Sequence, residues 1–167
     1  MSIFISIASY QDPLLVSTIF SAYSNADKKD DLIFSICDQS DNGIKVNDIA
    51  FANQIYYEHV NPLFSKGPCW ARHRAQSFFN GEDFFLQIDS HTQFAPSWDK
   101  IFTEQLEKIS AIQSEDNYFK KPIITSYPRS FKVLDFEKGL FSLNTGDIHT
   151  QVITYRKDSL FLKGSFS

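Results

Sequence analysis

Apolar residues fall in short runs separated by polar, turn-rich segments. Ile3 to Ile7 is nearly continuous in apolar residues and only a few residues long, which predicts a parallel strand covered on both faces. It gives way to Ala8-Ser9-Tyr10-Gln11-Asp12-Pro13, where Pro13 after Asp12 signals a helix start. Leu15, Ile19 and Ala22 or Tyr23 then recur near the helical period. A second run, Leu32 to Cys37, stops at the turn formers Asp38 to Gly43. Ile55 to Val60 predicts a third strand, followed by the loop at Asn61-Pro62. From Pro68 to Phe79, the positions Ala71, Ala75, Phe78 and Phe79 describe one helical face, with Arg72 elsewhere on the wheel and Asn80-Gly81 ending the helix. Phe84 to Ile88 predicts a fourth strand, with Asp89-Ser90-His91 at its carboxyl end. Pro96-Ser97 opens an amphipathic helix carrying Trp98, Ile101, Phe102, Leu106 and Ile109. Ile123 to Tyr127 predicts a further strand, and Lys132 to Leu134, Gln151 to Tyr155 and Leu160 to Phe166 predict short strands joined by turns.

Strand and helix alternate over the first 127 residues, which predicts an α/β fold: a mostly parallel central sheet of right-handed crossovers flanked by helices, with a β-rich C-terminal part. The 167 residues suit a single domain, with a binding core over 1–128 and a smaller extension over 129–167. Ligands of such sheets gather at the carboxyl ends of the strands. Three polar clusters are expected there: Ser9-Tyr10, Asp38-Gln39 and Asp89-Ser90-His91. With the strands parallel, all three face one crevice.

Composition narrows the function classes. At 43% hydrophobic and 22% charged residues the chain lies well outside the disordered regime. With 17 Phe, a core assembled mainly from phenylalanine is the expectation. The formal net charge is -4 and no basic block occurs, which argues against nucleic acid as a partner. Cys37 and Cys69 form neither a CxxC pair nor a secreted disulfide pattern. No cationic leader precedes Ile3 and no apolar run is long enough to cross a bilayer, so the expected location is the cytoplasm.

In an Asp-x-His sequence leaving an extended strand, the first and third side chains share a face and can reach one ion. A carboxylate oxygen and an imidazole nitrogen suit a borderline divalent cation such as manganese, leaving other coordination positions for water and phosphate. Taken alone, such a pair is more usually a turn-forming carboxylate beside a surface or satisfied histidine.

The surroundings carry a family resemblance. Gly67-Pro68-Cys69-Trp70-Ala71-Arg72, then Ala75-Gln76, then Gly81 through His91, resembles the central block of GlcNAc-transferases of the Skp1 hydroxyproline-modifying type. Ile5 through Pro13, Phe94 and Trp98-Asp99 resemble the same family's flanking motifs. The resemblance implies a GT-A (Rossmann-like) fold that binds a UDP-sugar with Mn2+ or Mg2+, with Asp89-Ser90-His91 standing where many GT-A enzymes have Asp-x-Asp. It implies metal ligation and a catalytic part for Asp89 and His91, a uridine site lined by Ala8, Ser9 and Tyr10, and Asp38 facing the base or ribose. Arg72 and Ser90 would lie near the nucleotide or its phosphates. The implied transfer retains anomeric configuration, moving a sugar such as N-acetylglucosamine to a protein or glycan hydroxyl.

Alternatives stand beside each role. Tyr10 and the two tryptophans, Trp70 and Trp98, also read as packing residues, Asp38 as a turn carboxylate, and Arg72 as half of a surface ion pair. His149 is the only downstream candidate for a third ligand. The family continues past the length seen here, so a partner subunit supplying the acceptor site is one expectation. A non-catalytic GT-A-like binding module is another, and a metal-dependent phosphohydrolase the third.

Overall fold

A computed structural model describes residues 1–112, 123–125, 130–135, 140–143, 151–154 and 163–166. Four strands, β1 (Ile3–Tyr10), β2 (Leu32–Gln39), β3 (Ile55–Val60) and β4 (Phe84–Asp89), form one parallel sheet in the order β3-β2-β1-β4. The central pair explains the near-continuous apolar runs: Ile3 to Ile7 is buried throughout, and so is β2 except at Ile33. Both strands outrun their apolar stretches. Parallel pairing continues through Ser9 opposite Asp38 and Tyr10 opposite Gln39, because the ladder needs backbone groups and not apolar side chains.

Helices cover both faces. α1 (Leu15–Asn25) and α3 (Trp98–Ile112) bury Leu15, Ile19, Ala22 and Trp98 against Ile3, Ile5, Ile7, Leu32, Phe34 and Ile36. Each fully buried Ile, Leu or Phe contributes about 1.5–3 kcal/mol relative to exposure. α2 (Pro68–Gln76) lies on the other face, where Ala71 and Ala75 meet Cys37 and the partly buried Ala8 and Val60. These small residues let the helix backbone approach closely, and Ser35 Oγ donates to the Ala75 carbonyl at 2.7 Å. α2 ends at Gln76 instead of Phe79, since Ser77 turns the chain with its hydroxyl on the Arg74 carbonyl.

The expected phenylalanine core is not what forms. Among the described residues only Phe4, Phe34 and Phe51 are buried, while Phe20, Phe64, Phe78, Phe79 and Phe85 are exposed. Aliphatic residues fill the α1 face, and α2 sits too close to the sheet to admit rings beneath it. The exposed aromatics pack beside the helix instead, Phe79 and Phe85 against the buried Phe4 and against each other, and Tyr56 stacks on Phe78.

The chain divides into two compact units, Met1–Pro122 and Ile123–Ser167. In the second, β5 (Phe131–Asp135) pairs antiparallel with β6 (Leu140–Leu143), and β7 (Gln151–Thr154) with β8 (Lys163–Phe166). Of the strand expected over Ile123 to Tyr127, the described residues 123–125 belong to no strand, and Ile123 is 89% exposed. Tyr127 lies outside the described residues. No helix among them is long and apolar enough to cross a membrane.

Candidate active site

The carboxyl edges of β1, β2 and β4 bring the three polar clusters together as neighbours. Register places Ser9 opposite Asp38 and Ala8 opposite Asp89. Beyond Tyr10 the backbone breaks sharply at Gln11, whose φ of 49° is left-handed, a conformation that costs a non-glycine residue about 1–3 kcal/mol. That turn delivers Asp12 to the start of α1. Asp12 Oδ1 accepts from the Leu14 N–H at 2.9 Å, while Oδ2 accepts from Ser90 Oγ at 2.6 Å and from His91 Nδ1 at 2.8 Å. Burial alone would push the Asp12 carboxyl up, but the hydrogen bonds from Ser90, His91 and Leu14 outweigh it and hold it below the ordinary carboxylate range.

The segment that follows β4 is pinned along α1. Thr18 Oγ1, fully buried, donates to the Ser90 carbonyl at 2.6 Å and accepts from the Thr92 N–H at 3.0 Å. Gln93 donates to Ser17 Oγ, and the Phe94 N–H to Ser21 Oγ. Further on, the Trp98 indole donates to the Ala22 carbonyl, and Asp99 accepts from the backbone N–H groups of Asp27 and Lys28. Burial opposes ionisation of Asp99, yet these backbone hydrogen bonds keep its carboxyl below the ordinary range. A polar stripe on α1 thus fixes the loop bearing Ser90 and His91.

On the β2 side a groove of about 290 Å³ opens between the β1–α1 loop and the turn after β2, lined by Gln11, Asp12, Asp38, Ser40, Gly43 and Ile44 among others. Asp38 is 2% exposed at its floor. Its Oδ2 accepts from the Tyr57 hydroxyl at 2.8 Å and from Ser40 Oγ at 3.0 Å, and Tyr57 in turn accepts from the Ile44 N–H. Burial and the Asp38 carboxylate push the Tyr57 phenol well above its usual value. The turn is tight: Gly43 has φ +64°, and a Cβ there would stand 2.8 Å from the Tyr57 oxygen.

At the opposite corner Arg72 on α2 reaches Asp89, Nη2 to Oδ1, at 3.4 Å. β4 ends at Asp89, and Ser90 and His91 occupy a turn, so strand alternation does not extend through the Asp-x-His as expected. The two side chains have different partners, Arg72 and Asp12. As a donor set they nevertheless suit a divalent cation. Both are exposed, at 63% and 60%, the Arg72 contact on Asp89 is long, and engagement of His91 Nδ1 leaves Nε2 to act. No group of three His, Cys, Asp or Glu that could hold a metal is found among the described residues.

Tyr10 is 59% exposed and thus free of the packing role. Trp98 has that role, and Trp70 packs at the edge of the α2 face. Ser9 is buried, with its hydroxyl unpartnered. His149 lies outside the described residues. Asp12, Thr18 and Tyr57 are the site residues that sequence reasoning leaves in helix-start, helix and strand roles.

A family model described as glycosyltransferase (GlcNAc) matches residues 38–153, more than half of the chain. The match contains Asp38, Arg72, Asp89, Ser90 and His91, and Asp12 precedes it. Neither the curated proteins nor the solved structures give a match.

Proposed function

Because the chain belongs to the glycosyltransferase (GlcNAc) family, we propose that it binds a UDP-sugar at the carboxyl edge of its sheet and transfers the sugar, N-acetylglucosamine, to a protein or glycan hydroxyl with the help of Mn2+ or Mg2+. The observation that carries this reading is the adjacency of the carboxyl ends of β2, β1 and β4, where Asp12 and Asp38 line an open groove and Asp12 meets His91, two residues past Asp89. The groove suits the nucleoside, with Asp38 held rigid at its floor by Tyr57 and Ser40, and the exposed Tyr10 ring is the proposed stacking partner for uracil.

The diphosphate goes to Asp89, Ser90 and His91. Four carboxylates, counting Asp41, border this edge in a chain of net charge -4, and they would repel a bare diphosphate. Arg72 is one nearby cation and is already shared with Asp89, so a divalent ion held by Asp89 and His91 supplies the missing positive charge. Such an ion, held by Asp89 and His91, would supply Lewis acidity to the UDP leaving group when the bond from the anomeric carbon to the phosphate oxygen breaks. Arg72 adds a fork of donors for the same oxygens. The pinned loop keeps these groups in place, so little reorganisation accompanies reaction.

The test is calorimetric titration of UDP and UDP-GlcNAc with and without Mn2+, followed by an assay for released UDP. Metal-dependent binding with release supports transfer. Metal-dependent binding without release points to a donor-binding module, and phosphate release from simple phosphoesters without UDP affinity to a phosphohydrolase.

A further inference from the structure

We propose that Asp12 is a positioning residue that fixes His91 as the Nδ1-protonated tautomer, so that the Nε2 lone pair is the one left to an incoming ligand; the use of that lone pair for metal rests on the function proposed above. An ionised carboxylate only accepts hydrogen bonds. The 2.8 Å approach of His91 Nδ1 to Asp12 Oδ2 therefore places the proton on Nδ1. A neutral imidazole then keeps its lone pair on Nε2.

Asp12 is poorly suited to be a ligand itself. Its Oδ2 also takes the Ser90 hydroxyl at 2.6 Å and its Oδ1 the Leu14 N–H at 2.9 Å, so three donors occupy the carboxylate. The side chain is 14% exposed against 60% for His91, which encloses the orienting group and leaves the oriented one in contact with solvent. Carboxylates placed behind ligating histidines set the ring's tautomer and direction and raise its basicity. Here the same carboxylate takes the N–H of Leu14, the residue before α1, and Thr18 on that helix holds the backbone of Ser90. His91 is thereby oriented against the β1–α1 unit that also borders the groove.

Two variants keep the helix start while altering the dyad. In Asp12→Asn the single oxygen caps Leu14 and the amide NH2 faces His91, so Nδ1 becomes an acceptor and the proton moves to Nε2. Asp12→Ser retains a capping hydroxyl too short to reach the ring. Long-range 1H–15N spectra at about pH 8, above the ordinary histidine range, report which nitrogen of His91 is protonated, with His91→Ala identifying the signals. The expected result is a protonated Nδ1 in the wild type, reversal in Asp12→Asn, averaging in Asp12→Ser, and a loss of roughly 10–100-fold in Mn2+ affinity measured with UDP for both variants. A wild-type proton on Nε2, or a tautomer indifferent to Asp12→Asn, overturns the inference. So does a reversed tautomer with unchanged Mn2+ affinity. Wild-type protein that has Nδ1 protonated but takes up no Mn2+ supports the tautomer assignment and removes the metal reading.

Discussion

Replacing Thr18 by Val tests whether the loop bearing Ser90 and His91 is held by α1. Valine matches threonine in volume, so no cavity forms, but the hydroxyl that donates to the Ser90 carbonyl at 2.6 Å and accepts from the Thr92 N–H at 3.0 Å is lost. Ser90 is 5% exposed, so its carbonyl pays most of its desolvation penalty, whereas half-buried Thr92 can recruit water. One stranded buried group costs about 1–3 kcal/mol. Taking about 2 kcal/mol, the melting midpoint followed by circular dichroism falls by roughly 4–8 °C for a protein of this size. Affinity for UDP with Mn2+ falls as well without vanishing, because Asp12, Ser17 and Ser21 still anchor the segment. A midpoint and an affinity both equal to wild type would refute the claim that this buried hydroxyl holds the site.

Other perturbations separate the parts of the site. Tyr57→Phe removes a donor to Asp38 and an acceptor from Ile44, and should lower stability by about 1–3 kcal/mol in urea denaturation while weakening UDP binding. Gly43→Ala combines a left-handed φ with a clash on the Tyr57 oxygen, so its midpoint should fall too, and wild-type UDP affinity in this variant would separate the turn from the nucleoside groove. Thiol titration of the folded protein should find Cys69 reactive and Cys37 silent, since Cys37 is fully buried and burial, with Glu58 nearby, pushes its thiol up to about 11. Asp99 is held below its ordinary range despite burial, so its contribution to stability is complete above about pH 3.9 and is lost as pH falls through the lower folded value. Acid denaturation of Asp99→Asn should therefore be less steep in that window than that of the wild type.

The sheet was legible because apolar run length and turn chemistry are local signals. Among the described residues of the first unit, four strands and three α-helices form in the expected segments, with α1 opening at Leu15 and α2 ending at Gln76, and the parallel register then makes the three polar clusters neighbours. What periodicity could not reveal was anything set by tertiary partners. Phe78, Phe79 and Phe85 have the hydrophobicity of core residues but no room beneath a helix that approaches on alanines. α1 opens at Leu15, two residues later than Pro13 suggests, and Asp12, in the loop before it, has a second oxygen that serves residues 78 and 79 positions away in sequence. Thr18 and Tyr57 carry no local mark of their contacts with Ser90 and Asp38. Asp89 and His91 were legible as a pair of donors, and their separate partners were not, because the strand stops between them.

The most direct measurement is a crystal structure grown with UDP and Mn2+. The account predicts uracil in the groove beside Asp38, with Asp89 and His91 Nε2 on an ion that also touches the diphosphate. Nucleotide bound elsewhere, or bound here with neither side chain on the ion, would contradict it.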